Sequence, residues 1–329
     1  SPKPRGDGVT TPARSKPPTT APPPASGARA ASSVARDRPD AVVDRYVAAA
    51  EAFAAARPAR EPAWLRALRE AALAQLAATG FPTTRQEDWR HTSLAPVSAT
   101  AFRRAEAGEA TLGPADVAPH GYADTHQLVF VDGHHAPDLS SVGPLPAGTL
   151  VGSLAATLAS EPARLEPWLG RHARLDPQPF VALNTAFLDD GAVVWAPRGT
   201  ALDVPVHLVF VATGNGSPKV SYPRNVVVVG EHGRATVVET YVGLGAGATL
   251  TCPVTEIAVG AGAAVDHYKV QQERLEAYHL ATLQVVQDRG SAFATHGVST
   301  GGALVRYDAN AFLDGEGVDC TLNGLYVAG

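Results

Sequence analysis

The spacing of apolar residues changes near residue 191 and divides the chain into two parts. Before that point the spacing is helical. An Ala-rich run at residues 41–56 follows the N-cap candidate Asp40, and Ala has the highest helix propensity. A second helix is predicted to start at Pro62 and to present one apolar face. That face consists of Leu65, Leu68, Ala72 and Leu76. The pattern therefore predicts a helical hairpin over residues 40–80.

Signals between the hairpin and the change of spacing are weaker, and most of this stretch is predicted to be irregular. The apolar run at residues 128–131, followed by the turn sequence Asp132-Gly133, predicts a short strand. Residues 150–176 return to helical spacing, with Ser153 as a candidate N-cap. A region of mixed helices and short strands is therefore expected here.

From residue 191 onward, short apolar runs rich in Val end at turns that contain Gly. One Gly recurs at intervals of 34, 29, 28 and 27 residues, at Gly199, Gly233, Gly262, Gly290 and Gly317. A short strand is predicted before each of these glycines. The position three residues after each Gly holds a mostly apolar or small side chain, namely Leu202, Thr236, Val265, Phe293 and Cys320. A self-similar period in this range is typical of a stacked solenoid, and about five β coils are predicted.

The predicted fold class is therefore mainly β, a parallel β-helix over residues 186–329. It follows an N-terminal helical or mixed domain at residues 39–185. Residues 1–38 are rich in Pro, Ala, Ser and Thr, and they are predicted to form a disordered low-complexity arm. A β-sandwich is the alternative fold, but its Asn-Gly hairpin turns are scarce after residue 216. The last residues, 322–327, read as an unfinished strand, so a C-terminally truncated chain is expected.

Composition excludes several classes of function. The 329 residues carry a net charge of −5, and the folded part has no long basic run, so a nucleic-acid partner is not expected. No run of 18 uninterrupted apolar residues predicts a membrane span. Two cysteines are too few for a disulfide framework, and a cytoplasmic location is expected.

Candidate metal-ligating residues in the solenoid are His267, His279 and His296. Their spacing does not place them on one helix face, and strand histidines are more often bonded to a neighbour than to a metal. His134 and His135 are adjacent, and adjacent side chains on an extended chain point to opposite faces, so they make a poor chelate. These two are interpreted as loop surface.

The two cysteines allow a structural and a functional interpretation. Cys252 precedes a proline and is interpreted as a strand-end residue. Cys320 occupies an apolar position of the repeat, which indicates a packed core residue. The alternative is a persulfide carrier or cluster ligand, but Asp319 next to it would raise the thiol pKa. A cluster is normally held by four thiolates, so no cofactor is expected to be bound by this chain alone.

The sequence also lacks a phosphate-binding loop, because Gly is nowhere followed by Lys. The cluster Gly243, Gly245 and Gly247 does not match a dinucleotide-binding spacing and is interpreted as a flexible corner between coils. No catalytic, cofactor-binding or metal-binding residue is assigned, and the chain is not expected to be an enzyme. A partner-binding scaffold and a β-helix carbohydrate-active enzyme, such as a polysaccharide lyase, both remain open. The scarcity of Lys, with four in the chain, favours the scaffold.

Several segments, in order, resemble the SufD-type members of the SufB/SufD family of iron–sulfur cluster assembly proteins. They are residues 85–92 (RQEDWRHT), 130–133 (FVDG), 182–187 (ALNTAF), 223–225 (PRN), 239–243 (ETYVG), 267–271 (HYKVQ) and 313–317 (LDGEG). The resemblance covers about residues 80–329 and implies a right-handed parallel β-helix between helical domains. It also implies a scaffold role in the SUF system.

Further expectations follow from that resemblance. It implies pairing with SufB through the β-helices, and binding of the SufC ATPase through a C-terminal helical domain that would follow Gly329. An iron–sulfur cluster would form transiently on the assembled complex. Trp89 is expected to anchor the helical domain on the solenoid with Arg90 lying over its ring. Glu239 and Asn225 are expected to stabilise coil corners.

Overall fold

The computed structural model describes residues 40–58 and 61–327, so the predicted arm at residues 1–38 lies outside the described residues. The fold is mainly β, a β-solenoid of about four turns with a few N-terminal helices, where the repeat predicted about five. The helices are α1 (Asp40–Ala55), α2 (Ala63–Thr79), α3 (Ala95–Ala99), α4 (Pro114–Val117), α5 (Leu154–Ser160), α6 (Pro162–Leu165) and α7 (Pro179–Ala186). Short 3-10 turns lie at Glu87–Trp89, Ala118–His120 and Pro137–Leu139.

The strands alternate between two sheets. Those before the solenoid repeat are β1 (Arg103–Arg104), β2 (His126–Val131), β3 (His134–His135) and β4 (Leu150–Ser153). Those of the repeat are β5 (Ala192–Ala196), β6 (Val206–Asn215), β7 (Lys219–Ser221), β8 (Arg224–Val229), β9 (Arg234–Ala246), β10 (Thr249–Thr251), β11 (Val254–Val259), β12 (Ala264–Gln272), β13 (Tyr278–Asp288), β14 (Ala292–Ser299), β15 (Leu304–Asp314) and β16 (Asp319–Tyr326).

The predicted helical hairpin is confirmed as α1 and α2. Gly80 ends α2 with a φ of 63°, and its N–H donates to Leu76 O at 2.8 Å. The buried face of α2 differs from the prediction at one position, because Arg69 is buried while Leu68 is only half-buried. The guanidinium of Arg69 donates to Leu188 O, at 3.0 Å from Nε and 2.6 Å from Nη2, which offsets the cost of its burial.

Stacked parallel strands form the solenoid, as predicted. Sheet 1 runs in the order β1-β7-β10-β13-β11-β8-β5-β4, with β15 also paired to β13. Sheet 2 runs β16-β14-β12-β9-β6-β2-β3. The five predicted strands before the recurring turns are β5, β8, β11, β13 and β15, and each is paired in parallel with the next. Their register stacks one inward column of apolar side chains, namely Val194, Val227, Ile257, Val285 and Ala311.

The alignment placed one corner of the predicted repeat one residue too late in the chain. The corner residues with positive φ are Gly199 (69°), His232 (57°), Gly262 (63°), Gly290 (65°) and Gly317 (71°). His232 therefore stands where the alignment placed Gly233. The apolar position that follows is consequently Ala235 rather than Thr236, because Val265 pairs with Ala235 on one side and Phe293 on the other. A non-Gly residue in this conformation is uncommon, so an alignment on Gly misses it.

The glycine cluster is not a flexible corner as expected. Gly243 and Gly245 lie inside β9 and pair with Ala212 and Gly214 of β6. A Cβ added to Gly245 would lie 2.1 Å from Gly214 O, so the two backbones meet where a side chain cannot fit. The cluster is therefore a site of close strand packing.

Replacing Gly245 with Ala should cost more than replacing Gly290. Both glycines have positive φ, 74° and 65°, so each substitution adds left-handed strain of about 1–2 kcal/mol. Only Gly245→Ala also drives a Cβ into a neighbouring backbone, whereas Gly290 has no atom within 4 Å of its Cβ position. We expect an additional 1–3 kcal/mol, on the order of overpacking costs, in urea unfolding. Equal losses for the two variants would contradict the close packing of β6 on β9.

The N-terminal region is joined to both sheets of the solenoid. Strand β2 pairs in parallel with β6 in sheet 2, and β4 pairs antiparallel with β5 in sheet 1. Ser153 caps α5 as predicted, since its Oγ accepts the Ala156 N–H at 3.1 Å. The domain division at residue 186 stays a prediction. Within the described ranges, no helix is long and apolar enough to cross a membrane.

Candidate functional site

The second half of β12 faces the inside of the solenoid with polar side chains. Along this strand His267, Lys269 and Gln271 are buried, while the alternate residues Asp266 and Tyr268 are exposed. Val265, earlier on the same inward face, belongs to the apolar core. The interior is therefore apolar at one side and polar at the other, and the polar side is the candidate functional site.

A chain of charged and polar groups crosses this interior. Lys269 Nζ donates to His279 Nε2 at 2.6 Å, and His279 Nδ1 lies 2.8 Å from Glu273 Oε2. Thr251 Oγ1 in turn donates to Glu273 Oε1 at 2.5 Å. Lys269 Nζ also lies 4.1 Å from the ring centroid of Tyr241, a cation–π distance. Strands from two successive coils thus supply one continuous buried network, which we call the interior polar cluster.

Glu239 is the second carboxylate of the interior polar cluster. It accepts hydrogen bonds from Tyr241 OH at 2.7 Å and from Thr255 Oγ1 at 2.6 Å, and His267 Nε2 lies 3.3 Å away. Burial alone would raise the pKa of Glu239, but the bonds and charge of His267, with the two hydroxyl donors, lower it to about 2. Asn225 donates to Thr255 Oγ1 at 3.1 Å.

The expected role of Glu239 and Asn225 at coil corners is wrong. Glu239 lies in the middle of β9 and Asn225 near the start of β8, and both are buried. Each side chain forms hydrogen bonds with residues of neighbouring strands inside the solenoid, so these bonds stabilise the interior of the coils and not their corners. A buried carboxylate of this kind requires several donors, and the sequence alone does not show which strands provide them.

The arrangement of Glu273, His279 and Lys269 resembles an acid–base–amine relay, but it is closed. The three side chains are almost fully buried, and the gap that Lys269 lines together with Pro253 and Tyr307 has no volume for a water molecule. Burial lowers the pKa of Lys269 to about 8, against the attraction of the two carboxylates. The contacts from Thr251 to Glu273 and from Lys269 to Tyr241 join two neighbouring coils.

The stability of the chain should rise with pH across the titration of Lys269. The folded chain holds this proton less tightly than the unfolded chain, whose Lys titrates near 10.5. The unfolded state therefore binds more protons between pH 8 and 10.5, and the free energy of unfolding should increase there by about 1–3 kcal/mol. Lys269→Met should flatten this increase in urea unfolding at pH 8–9.5. Titrations of Cys and Tyr occur in both proteins, so identical slopes would contradict the burial of a titrating amine.

The three candidate metal ligands of the solenoid are not brought together. His267 and His279 lie inside, whereas His296 is on the outer face of sheet 2, where its ring stacks on Tyr268 at 5.3 Å between centroids. Among the described residues, no group of three or more His, Cys, Asp or Glu side chains could hold a metal ion.

His134 and His135 are not loop surface, which corrects the sequence interpretation. They form β3, which pairs antiparallel with β2, and both are half-buried. His134 Nε2 lies 3.1 Å from Ala105 O, and His135 Nε2 lies 3.2 Å from Ser140 Oγ. The tight turn at Asp132-Gly133 allows two residues to fold back on β2, which makes a hairpin.

Both cysteines occupy structural positions. Cys252 follows β10 and is fully buried, and burial raises its pKa well above the usual range. Cys320 in β16 is in register with Phe293, as the repeat predicted, and it packs against the apolar core. Partial burial and the charge of Asp319 raise the pKa of the Cys320 thiol.

Trp89 is an anchor, as the sequence predicted, but the predicted cation partner, Arg90, is wrong. Trp89 is buried and packs on Phe180 with 5.5 Å between ring centroids. The guanidinium over its indole ring belongs to Arg306, at 3.9 Å from the centroid. Arg90 is exposed and contacts Glu87 instead. Arg306 follows Asp88 by 218 residues, so no local pattern could have identified the pair.

The last described coil is open. Strand β15 is paired with β13 and β16 with β14, and within residues 61–327 no further strand pairs with their outer edges. Large apolar side chains are 46–57% exposed on this coil, at Phe312, Leu313, Leu322, Leu325, Tyr326 and Val327. Unpaired edge strands with exposed apolar side chains are a template for another chain.

Comparison with known families agrees with this architecture. The model for the SUF system FeS cluster assembly SufBD core domain matches residues 210–329, and that for the SufBD protein N-terminal region matches residues 42–208. The chain belongs to the SufB/SufD family of the SUF system for iron–sulfur cluster assembly.

Relatives narrow the resemblance to the SufD type. The chain is 30% identical to an iron–sulfur cluster assembly SufBD family protein of Synechocystis, over 73% of this chain and 54% of that protein. It is 26% identical to the iron–sulfur cluster assembly protein SufD of Escherichia coli, over 77% of this chain and 57% of that protein. It is 25% identical to the chloroplastic protein ABCI7 of Arabidopsis thaliana, over 75% and 52%. The chain spans about half the length of these relatives.

Proposed function

We propose that this chain is the SufD-type scaffold subunit of a SufB–SufC–SufD complex that assembles nascent iron–sulfur clusters. In this proposal it pairs with SufB through the solenoid. The observation that carries the proposal is the match of residues 210–329 to the SufBD core domain, on a solenoid of stacked parallel strands.

A non-catalytic role is supported by the chemistry of the described residues. The side chains of the interior polar cluster are almost fully buried, and both thiols have raised pKa values. We therefore propose that the iron–sulfur cluster forms as cargo on the assembled complex, with ligands from more than this chain. The SufC ATPase would bind through a C-terminal helical domain of the kind that the resemblance implies, and the complex would act in the cytoplasm.

Co-purification with the SufB and SufC homologues of the same organism tests the proposal. An affinity tag on this chain should retain SufB at a ratio of about one to one through gel filtration, as expected for a stable interface. SufC should be retained only when SufB is present, because this chain is proposed to bind SufC through residues after Gly329. Failure to retain SufB when both proteins are folded would rule out the proposed pairing.

A further inference from the structure

The segment Glu87–Trp89 contacts the far end of the solenoid. Its single 3-10 turn buries Trp89 in an apolar cluster that also contains side chains of α1, α2 and α7. Arg306 reaches this turn from β15, the last strand of sheet 1. The N-terminal region therefore touches the open coil directly, although more than 200 residues separate the two contacts in the sequence.

Arg306 makes several contacts in this position. Its guanidinium Cζ lies 3.9 Å from the centroid of the Trp89 ring, and Nη1 donates to Asp88 O at 2.7 Å. A second, longer bond of 3.4 Å joins Nη1 to Thr92 Oγ1. On the strand itself, Nε donates to Asp308 Oδ2 at 2.9 Å, which fixes the side chain from the other side. Only 19% of the Arg306 side chain is exposed.

The Trp89–Arg306 contact adds an anchor to β15, which has one strand neighbour in the described part of the chain. Strand β15 has one strand neighbour, β13, so its backbone hydrogen bonds are formed on one side only within the described part of the chain. Edge strands with one neighbour open more easily than central strands. An anchor from outside the sheet, such as a cation–π contact with Trp89, limits that opening.

We infer that the Trp89–Arg306 pair is a clamp by which the N-terminal region holds the last coil in the register that the next strand must meet. The two residues are positioning residues for β15. The inference rests on the proposed function only for its SufB readout. The ordering of β15 by Trp89 is a property of the chain itself.

Hydrogen exchange measured by mass spectrometry on the whole chain tests the clamp, at a concentration where light scattering gives a monomer. Arg306→Gln should speed exchange of amides in β15 by about tenfold, the effect of one desolvated cation–π contact. Peptides from β8 and β11 should be unchanged. Arg306→Lys keeps the charge but loses the guanidinium group. Its β15 exchange rate should fall between those of the unmodified chain and of Arg306→Gln. Arg90→Gln is the matched control, since Arg90 neighbours Trp89 but is exposed, and it should have no effect.

A Trp89→Leu variant separates a clamp from independent packing. If the two residues act as a pair, Arg306→Gln added to Trp89→Leu should not speed β15 exchange further. Additive effects, faster exchange in all coils, or unchanged β15 exchange in Arg306→Gln would each overturn the inference. In a separate experiment, Arg306→Gln should weaken SufB retention by a similar factor. Loss of the exchange effect refutes the clamp, whereas an exchange effect without any SufB binding by the wild-type chain refutes the proposed function alone.

Discussion

Replacing Glu256 with Ala should destabilise the chain by about 3–5 kcal/mol, the cost of leaving a buried charge without its partner. Glu256 lies 2.6 Å from Arg224, and both side chains are almost completely buried. Its carboxylate also accepts three backbone N–H bonds, from Gly170, His172 and Ala173, at 2.8–3.0 Å. Removing the carboxylate therefore leaves the buried Arg224 guanidinium without its ion-pair partner. It also releases the loop that these three residues form over sheet 1.

Urea unfolding at neutral pH measures this loss, and the exposed pair Arg198–Glu231 provides the control. Its atoms lie 3.1 Å apart, but the Arg side chain is 73% exposed. Glu231→Gln should cost less than about 1 kcal/mol, as surface pairs do. Comparable small losses for both variants would show that the Arg224–Glu256 pair is not buried as described.

The 329-residue chain expressed alone should self-associate at tens of micromolar, roughly the range in which exposed edges pair. The open edges of β15 and β16 supply unpaired backbone groups, and six large apolar side chains surround them. Leu322 is in register with Thr295, which stacks on the inward His267, so a charge at this position points into the open end of the interior. Leu322→Lys should therefore shift the chain toward the monomer.

Light scattering after gel filtration checks this expectation. Leu275→Lys is the matched control, because Leu275 is 75% exposed but lies between β12 and β13, away from the open edges in sequence. It should leave the association unchanged. Co-expression with SufB should replace self-association if both use the same edges. A stable monomer of the unmodified chain at these concentrations would contradict the account of the open coil.

The β coils could be predicted because their signal is repetitive. Each coil places a Val-rich run before a turn that needs positive φ, and Gly meets this need at four of the five corners. The fifth corner uses His232, and this single substitution displaced one unit of the alignment by one residue. The helical hairpin was equally accessible, since its spacing is local and its end is marked by Gly80.

The interior polar cluster could not be predicted in the same way. Charged side chains on a strand are ordinarily assumed to face water, and Lys269 and Glu239 carry no local sign of burial. The one available signal is the alternation in β12, in which Lys269 shares a face with Val265. The partners of Lys269 and Glu273 come from β10 and β13, so the assembly of the cluster depends on the register of two neighbouring coils. Arg306 was missed for the same reason.

Anaerobic reconstitution with iron and a cysteine desulfurase is the measurement that tests the central claim most directly. We predict that the isolated chain forms no stable, stoichiometric [4Fe–4S] cluster, because it has only two cysteines and both thiols have raised pKa values. The complex with SufB should acquire the cluster under the same conditions. A stable, stoichiometric cluster on the isolated monomer would contradict the proposal that this chain is a scaffold and not itself the cluster-binding subunit.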